Sequence, residues 1–263
     1  METSTQPSRV AFAAALIGLG LLTFIYGDSS ALWEPIPKAL PGRSVVIYLC
    51  GVIELAGGIG LLLRSSVLFA CRVLVPFLLL WLVLLKLPGV LLHPAVVVRW
   101  EQFGETAAIL AGAWCLFAVY AGTWEQRHLG FAVGDRGVRM ARLLLIAALV
   151  MFGVSHFAYA DLTASLVPRW MRFPLGWAYL TGAANIAAAA GMLFAIYPRL
   201  AANLEAAMLW IFTLFVWVPR IVSVHSDQEI WAEFLVSAAI AAGVWLVADT
   251  YRNDTVVSTG SAA

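Results

Sequence analysis

The chain has 263 residues, 62% of them apolar and only 12% charged, with a mean hydropathy of +0.90. That balance excludes an ordinary soluble globular domain. A formal net charge of +1 offers no electrostatic footprint for nucleic acid or another polyanion.

The apolar residues fall in eight blocks, about 9–27, 44–63, 66–86, 104–122, 141–160, 177–197, 201–218 and 233–249. Each approaches the roughly 20 helical residues that a hydrocarbon core requires. The first follows a short polar start with Arg9 and could pass for a signal peptide. It aligns with block five, which lies mid-chain, so a retained helix is expected. Block one ends at Tyr26 and Asp28, and the Pro- and Trp-containing stretch SSALWEPIPKALPGR (29–43) leads into block two. Block two is rich in small residues and carries Glu54. An Arg-bearing turn joins it to block three, which is expected to break at Pro88, where the ring removes a donor and clashes with the preceding turn. His93 and Trp100 lie in the mixed segment before block four. The Arg-rich linker 123–140 leads to block five, and the same features return: Tyr159 and Asp161, a Pro-Trp stretch (162–176), Pro219, His225 and Trp231. From residue 252 the chain is polar and expected to be a disordered tail.

The return is a repeat. TFIYGD (23–28) recurs as HFAYAD (156–161) at an offset of 133, and from Pro37 onward the offset is 131. WEQFGETAAILAGAW (100–114) lies over WAEFLVSAAIAAGVW (231–245) with eight of fifteen residues identical. The expected fold is therefore all-α and polytopic: eight transmembrane helices as a tandem parallel repeat of two four-helix bundles, 1–122 and 141–251. Four helices per unit send both copies into the membrane in the same direction, with both termini on one side. Nine Lys and Arg residues on the terminal side against seven on the other favour cytoplasmic termini. The Tyr-x-Asp ends, the Pro-Trp loops and the His-bearing segments then share the opposite face. There Trp33, Trp100, Trp170, Trp177 and Trp231 suit an aromatic belt.

Few residues in this background can carry chemistry. Glu54 sits near mid-bilayer, where an ionised carboxylate costs around 2.5–3.5 kcal/mol even on the lenient scale. It is read either as a proton-handling or ligand-anchoring acid, or as a protonated side chain bonding a neighbouring helix. Its counterpart is Asn185, and Gly51 and Gly58 on its own face allow close approach. His156 shares a helix face with Tyr159 and could shuttle protons or donate to a carbonyl. Its counterpart is Thr23. Asp28 and Asp161 occur in both copies, and N-caps of short interfacial helices starting at Ser29 and Leu162 account for them. Cys50, Cys71 and Cys115 are scattered and suit packing rather than thiol exchange. No metal-ligand spacing, haem pair, phosphate loop or nucleophile elbow is present.

GVSHFAYAD (153–161) followed by WAYLTGAANIAAAAGMLF (177–194), together with GVIELAGGIGLLL (51–63), resembles the DoxX family of bacterial membrane proteins. Its members are typically single four-helix units, so the chain resembles two fused DoxX-like units in a bacterial inner membrane. The family is similar to the membrane subunit of thiosulfate:quinone oxidoreductase. The resemblance thus implies a quinone- or lipid-associated accessory role for a redox partner protein, with no intrinsic cofactor and a quinone as the expected ligand. The family's His survives only as His156 and its Glu only as Glu54, which suggests one asymmetric site shared between the copies. A non-catalytic scaffold subunit and a small-solute or lipid transport module remain the alternatives. Candidate ligand-binding residues are Glu54, His156, Asn185, Tyr26, Asp28, Tyr159 and Asp161.

Overall fold

The computed structural model describes residues 6–259, with side chains for 6–252, and among these it is helical without strands. In chain order the helices are α1 (Pro7–Tyr26), α2 (Arg43–Leu62), α3 (Val67–Trp81), α4 (Leu87–Leu92), α5 (Val97–Tyr120) and α6 (Thr123–His128). There follow α7 (Gly134–Ala158), α8 (Ala160–Leu166), α9 (Pro174–Leu193), α10 (Pro198–Phe212), α11 (Val218–Ser223) and α12 (Gln228–Thr259). Seven helices are long and apolar enough to cross a membrane: α1, α2, α3 continued through α4, α5, α7, α10 continued through α11, and α12 as far as Arg252. The chain is a membrane protein of helical type. α9 matches α2 at 20 residues but is not among the seven, since alanines stand where α2 has valine, isoleucine and leucine, and Asn185 adds an amide.

Pro88 and Pro219 do not break their helices as expected. Each lies just beyond a π-turn, Leu82–Lys86 or Thr213–Trp217, and the helix resumes as α4 or α11. Widening one turn shifts the hydrogen-bonding register, so the proline ring is accommodated without ending the helix. The two π-turns are 131 positions apart.

Packing relies on small residues, as expected where lipid removes the hydrophobic drive between helices. α1 lies against α2 and α12, while α7 lies against α9 and α5. A Cβ on Gly20 would come within 2.7 Å of the Gly51 carbonyl, and one on Gly153 within 2.8 Å of the Gly182 carbonyl. α5 and α12 cross at Gly112 and Gly243, where an added Cβ would meet backbone at 2.6 Å. Phe12, Leu16, Leu74, Leu78, Ile109, Leu145 and Leu149 fill the spaces between helices and are fully buried.

Element boundaries depart from expectation where polar residues occupy helical turns. α7 begins at Gly134 rather than near 141, so Arg136 and Arg139 of the expected linker are helical. α12 continues to Thr259, into the segment expected to be a tail, whose residues 260–263 lie outside those described.

Candidate functional site

The loop between α1 and α2 folds back into its own half. Trp33, Glu34 and Ile36 are buried there. The Trp33 indole donates to Glu54 Oε1 at 2.5 Å, and the Trp81 indole donates to Glu34 Oε1 at 2.8 Å. Trp33 is thus an interior plug rather than part of an aromatic belt. Glu54 is fully buried, with Oε2 lacking a hydrogen-bond partner. Lys86 donates to the Leu32 carbonyl at 3.0 Å and interacts electrostatically with Glu34, Glu105 and Glu233. Glu34 belongs to the loop rather than to a spanning helix, and its burial pushes the carboxyl up to about 7, with the Trp81 hydrogen bond opposing the rise.

The second half has no such plug. Between α5, α7, α8, α9, α10 and α12 lies a cavity of about 180 Å³. Its walls are largely apolar, with Phe152, Leu166, Met208, Phe212 and Trp217 among them. Polar groups enter from five helices: His156 from α7, Thr163 from α8, Thr181 and Asn185 from α9, Glu101 and Glu105 from α5, and Ser237 from α12. The hydrogen bonds already present define what remains available. His156 Nδ1 lies 2.8 Å from the Phe152 carbonyl, which can only accept, so Nδ1 carries the proton and Nε2 is left over. Asn185 Nδ2 donates to the Thr181 carbonyl at 2.8 Å, leaving Oδ1 buried without a partner. Glu101 Oε2 accepts from Ser155 Oγ at 2.6 Å.

Of the candidate residues, the structure brings His156 and Asn185 to one cavity. Glu54 is not in its lining, so the site expected to join Glu54 to His156 does not form. The cavity is walled by α5 of the first half together with helices of the second, whereas Glu54 on α2 faces the Trp33 indole. Tyr26 hydroxyl donates to the Ser226 carbonyl at 3.1 Å and belongs to the loop surface. Asp28 caps no helix: residues 29 and 30 are not helical, and its carboxylate pairs with Arg43 at 2.6 Å. Asp161 lies inside the first turn of α8, whose N-cap is Tyr159, so it is not the cap either. Asp28, Tyr159 and Asp161 do not line the cavity.

The sequence reading missed Glu34, Glu101 and Glu105. Glu105 stands at the edge of an apolar block, where a carboxylate reads as a membrane-surface residue. One signal was available, because Glu101 and Glu105 are four apart and share a helix face. Cys50, Cys71 and Cys115 are buried with free thiols. Among the described residues no group of His, Cys, Asp and Glu could hold a metal ion.

Residues 145–248, which include most of the cavity lining, match a family model described as Domain of unknown function (DUF8561). No curated protein and no solved structure matches the chain.

Proposed function

We propose that the chain is a DoxX-like protein of two four-helix units, with α9 as an eighth span, and that the second-half cavity binds the ring of a quinol or quinone. The paired π-turns support the two-unit reading. So do the matching contacts of Arg9 with Tyr120 and Arg142 with Tyr251, and of Phe24 with Tyr48 and Phe157 with Tyr179. The positive-charge count supports cytoplasmic termini, and the resemblance to DoxX proteins implies a bacterial inner membrane.

The observation that carries the ligand is the cavity's leftover chemistry. With Nδ1 committed, the other ring nitrogen of His156, Nε2, is the one that faces a ligand, and Asn185 offers an acceptor at Oδ1. That acceptor suits a ring hydroxyl, and the Thr163 and Ser237 hydroxyls in the same lining can donate to ring carbonyls, so the cavity has partners for either form of a quinone. A volume of about 180 Å³ suits one ring, below the ~300–1,000 Å³ of sites for larger ligands. Oxidising a quinol releases two electrons and two protons. His156 Nε2 and the Glu101 carboxylate can accept protons, and the electrons pass to a partner protein that carries its own redox centre.

The test is solvent extraction and mass spectrometry of molecules that co-purify with the detergent-solubilised protein. A near-stoichiometric quinone is expected, falling about tenfold in a His156→Ala, Asn185→Ala variant, the loss that one to two good hydrogen bonds give. Bulk phospholipid alone in both samples would sink the reading and leave a scaffold role.

A further inference from the structure

The second half holds one more buried acid, outside the cavity lining. Glu205 of α10 is 2% exposed, and its Oε1 has no hydrogen-bond partner. No charged group from α9 or α12, the helices packed against α10, acts on its carboxyl. No ion pair therefore offsets the cost of a carboxylate at that depth. Packing alone does not call for an acid here. Leu74 of α3, 131 positions earlier, is fully buried and apolar.

The neighbours of Glu205 show what it stands between. Met208 and Leu209, one turn further along α10, line the cavity that holds His156. Leu200 and Asn203, on the preceding turns, line an open groove at the end of the molecule where α7 and α10 begin. The other helices divide in the same way. α7 gives Phe152 and His156 to the cavity and Leu143 and Ile146 to the groove, while α9 gives Thr181 and Asn185 to the cavity and Met192 to the groove. Between those two sets, the residues of α7, α9 and α10 are apolar or glycine except for Glu205. Ala148, Leu149, Ala188, Ala189 and Ala206 are buried there. The wall is thin: Asn203 and Met208 bracket Glu205 and lie about 7–8 Å apart along the helix.

We propose that Glu205 carries protons between the cavity and the groove, so that the second half forms a proton pathway across the membrane. The carboxylate takes a proton from one side and the acid releases it on the other, and no electron moves. On the cavity side the nearest polar groups are Asn185, with its unpartnered Oδ1, and His156, which can pass a proton on. Intramembrane carboxyls facing a bundle interior serve such relays. A lone carboxylate is too poor in oxygens for a metal cation, which takes about six. The pathway holds whatever ligand the cavity binds.

Proton uptake into liposomes carrying the full chain tests this. A potassium diffusion potential drives protons inward, and a trapped pH-sensitive dye reads them. Uptake should exceed that of empty liposomes several-fold and fall to their rate in Glu205→Gln. Glu205→Leu, which gives α10 the residue that α3 carries, should also abolish uptake. It should unfold no earlier than wild type on heating, which separates lost conduction from lost folding. Glu54→Gln, which removes the fully buried acid of the first half, should leave uptake unchanged. Wild-type uptake no faster than that of empty liposomes, or uptake that survives both Glu205 substitutions, would overturn the proposal.

Discussion

The two halves of the molecule share a helix order and treat their interiors oppositely. In the first, a loop returns Trp33 and Glu34 to the interior, and the indole satisfies one oxygen of Glu54. In the second, the connection after α7 forms the short helix α8, which contributes Leu166 to a wall, and the interior stays open. A buried polar group needs a partner. The first half supplies an indole from its own chain, whereas the second leaves Asn185 Oδ1 without a partner. One half fills its interior with its own chain, and the other keeps a cavity beside an unpaired amide oxygen.

The strongest way to break that contrast is Trp33→Ala. It would open a void and strip Glu54 of its one hydrogen bond, so a loss of about 3–5 kcal/mol is expected. Thermal unfolding in detergent, followed by tryptophan fluorescence, reads it. A loss under about 1 kcal/mol would show that the plug does not hold the first half together.

Next is Glu34→Gln. Burial raises this carboxyl from 4.5 to about 7. Between those values the folded protein binds more protons than the unfolded chain, so stability falls as pH rises from about 4.5 to 7 and is level above. The full span corresponds to roughly 3 kcal/mol. Glu34→Gln should abolish that slope and raise the unfolding temperature at neutral pH. A wild-type protein equally stable across this range would refute the assignment.

A smaller effect sharpens the comparison from the other side. Leu166→Trp gives the second half an indole of its own in the cavity wall. Filling the space should change stability by no more than about 1–3 kcal/mol while abolishing retention of the quinone. Retention at the wild-type level would place the ligand elsewhere.

Apolar blocks made the helices legible, because lipid demands both length and apolarity. Proline chemistry misled the reading at Pro88 and Pro219, since a π-turn leaves no mark in hydropathy. Arg136 and Arg139 look like linker for the same reason: the polar first turns of α7 carry no apolar signal. The site was legible only in pieces. His156 and Asn185 stand out as polar residues in apolar helices, and both line the cavity. Their separation from Glu54 depends on which helices enclose which interior, and complementary losses in two copies carry no distance information. The loop residues Trp33 and Glu34 look like interfacial residues until the chain is seen to fold inward.

The smallest expected effect concerns how that inward fold is tied down. Arg43, at the start of α2, pairs with Asp28 at 2.6 Å and donates to the Ile36 carbonyl and Ser29 Oγ, both at 3.4 Å. It therefore grips both ends of the segment that carries Trp33 and Glu34. In the second half, by contrast, Asp161 has no ion pair among the described residues and the chain runs on as helix α8. The hydrogen bond from Arg43 holds the Asp28 carboxyl below its ordinary value, so its contribution is present at neutral pH and is lost as pH falls through that lowered value. With the Asp28 side chain 49% exposed, solvent screens the pair, and Arg43→Ala should cost under about 1 kcal/mol at pH 7 and almost nothing in acid. Limited proteolysis gives a more sensitive reading. Faster cleavage between residues 29 and 42 at neutral pH, converging with wild type in acid, is expected if the clamp orders the plug. Equal cleavage at both pH values would mean that Trp33 and Glu34 hold the loop unaided.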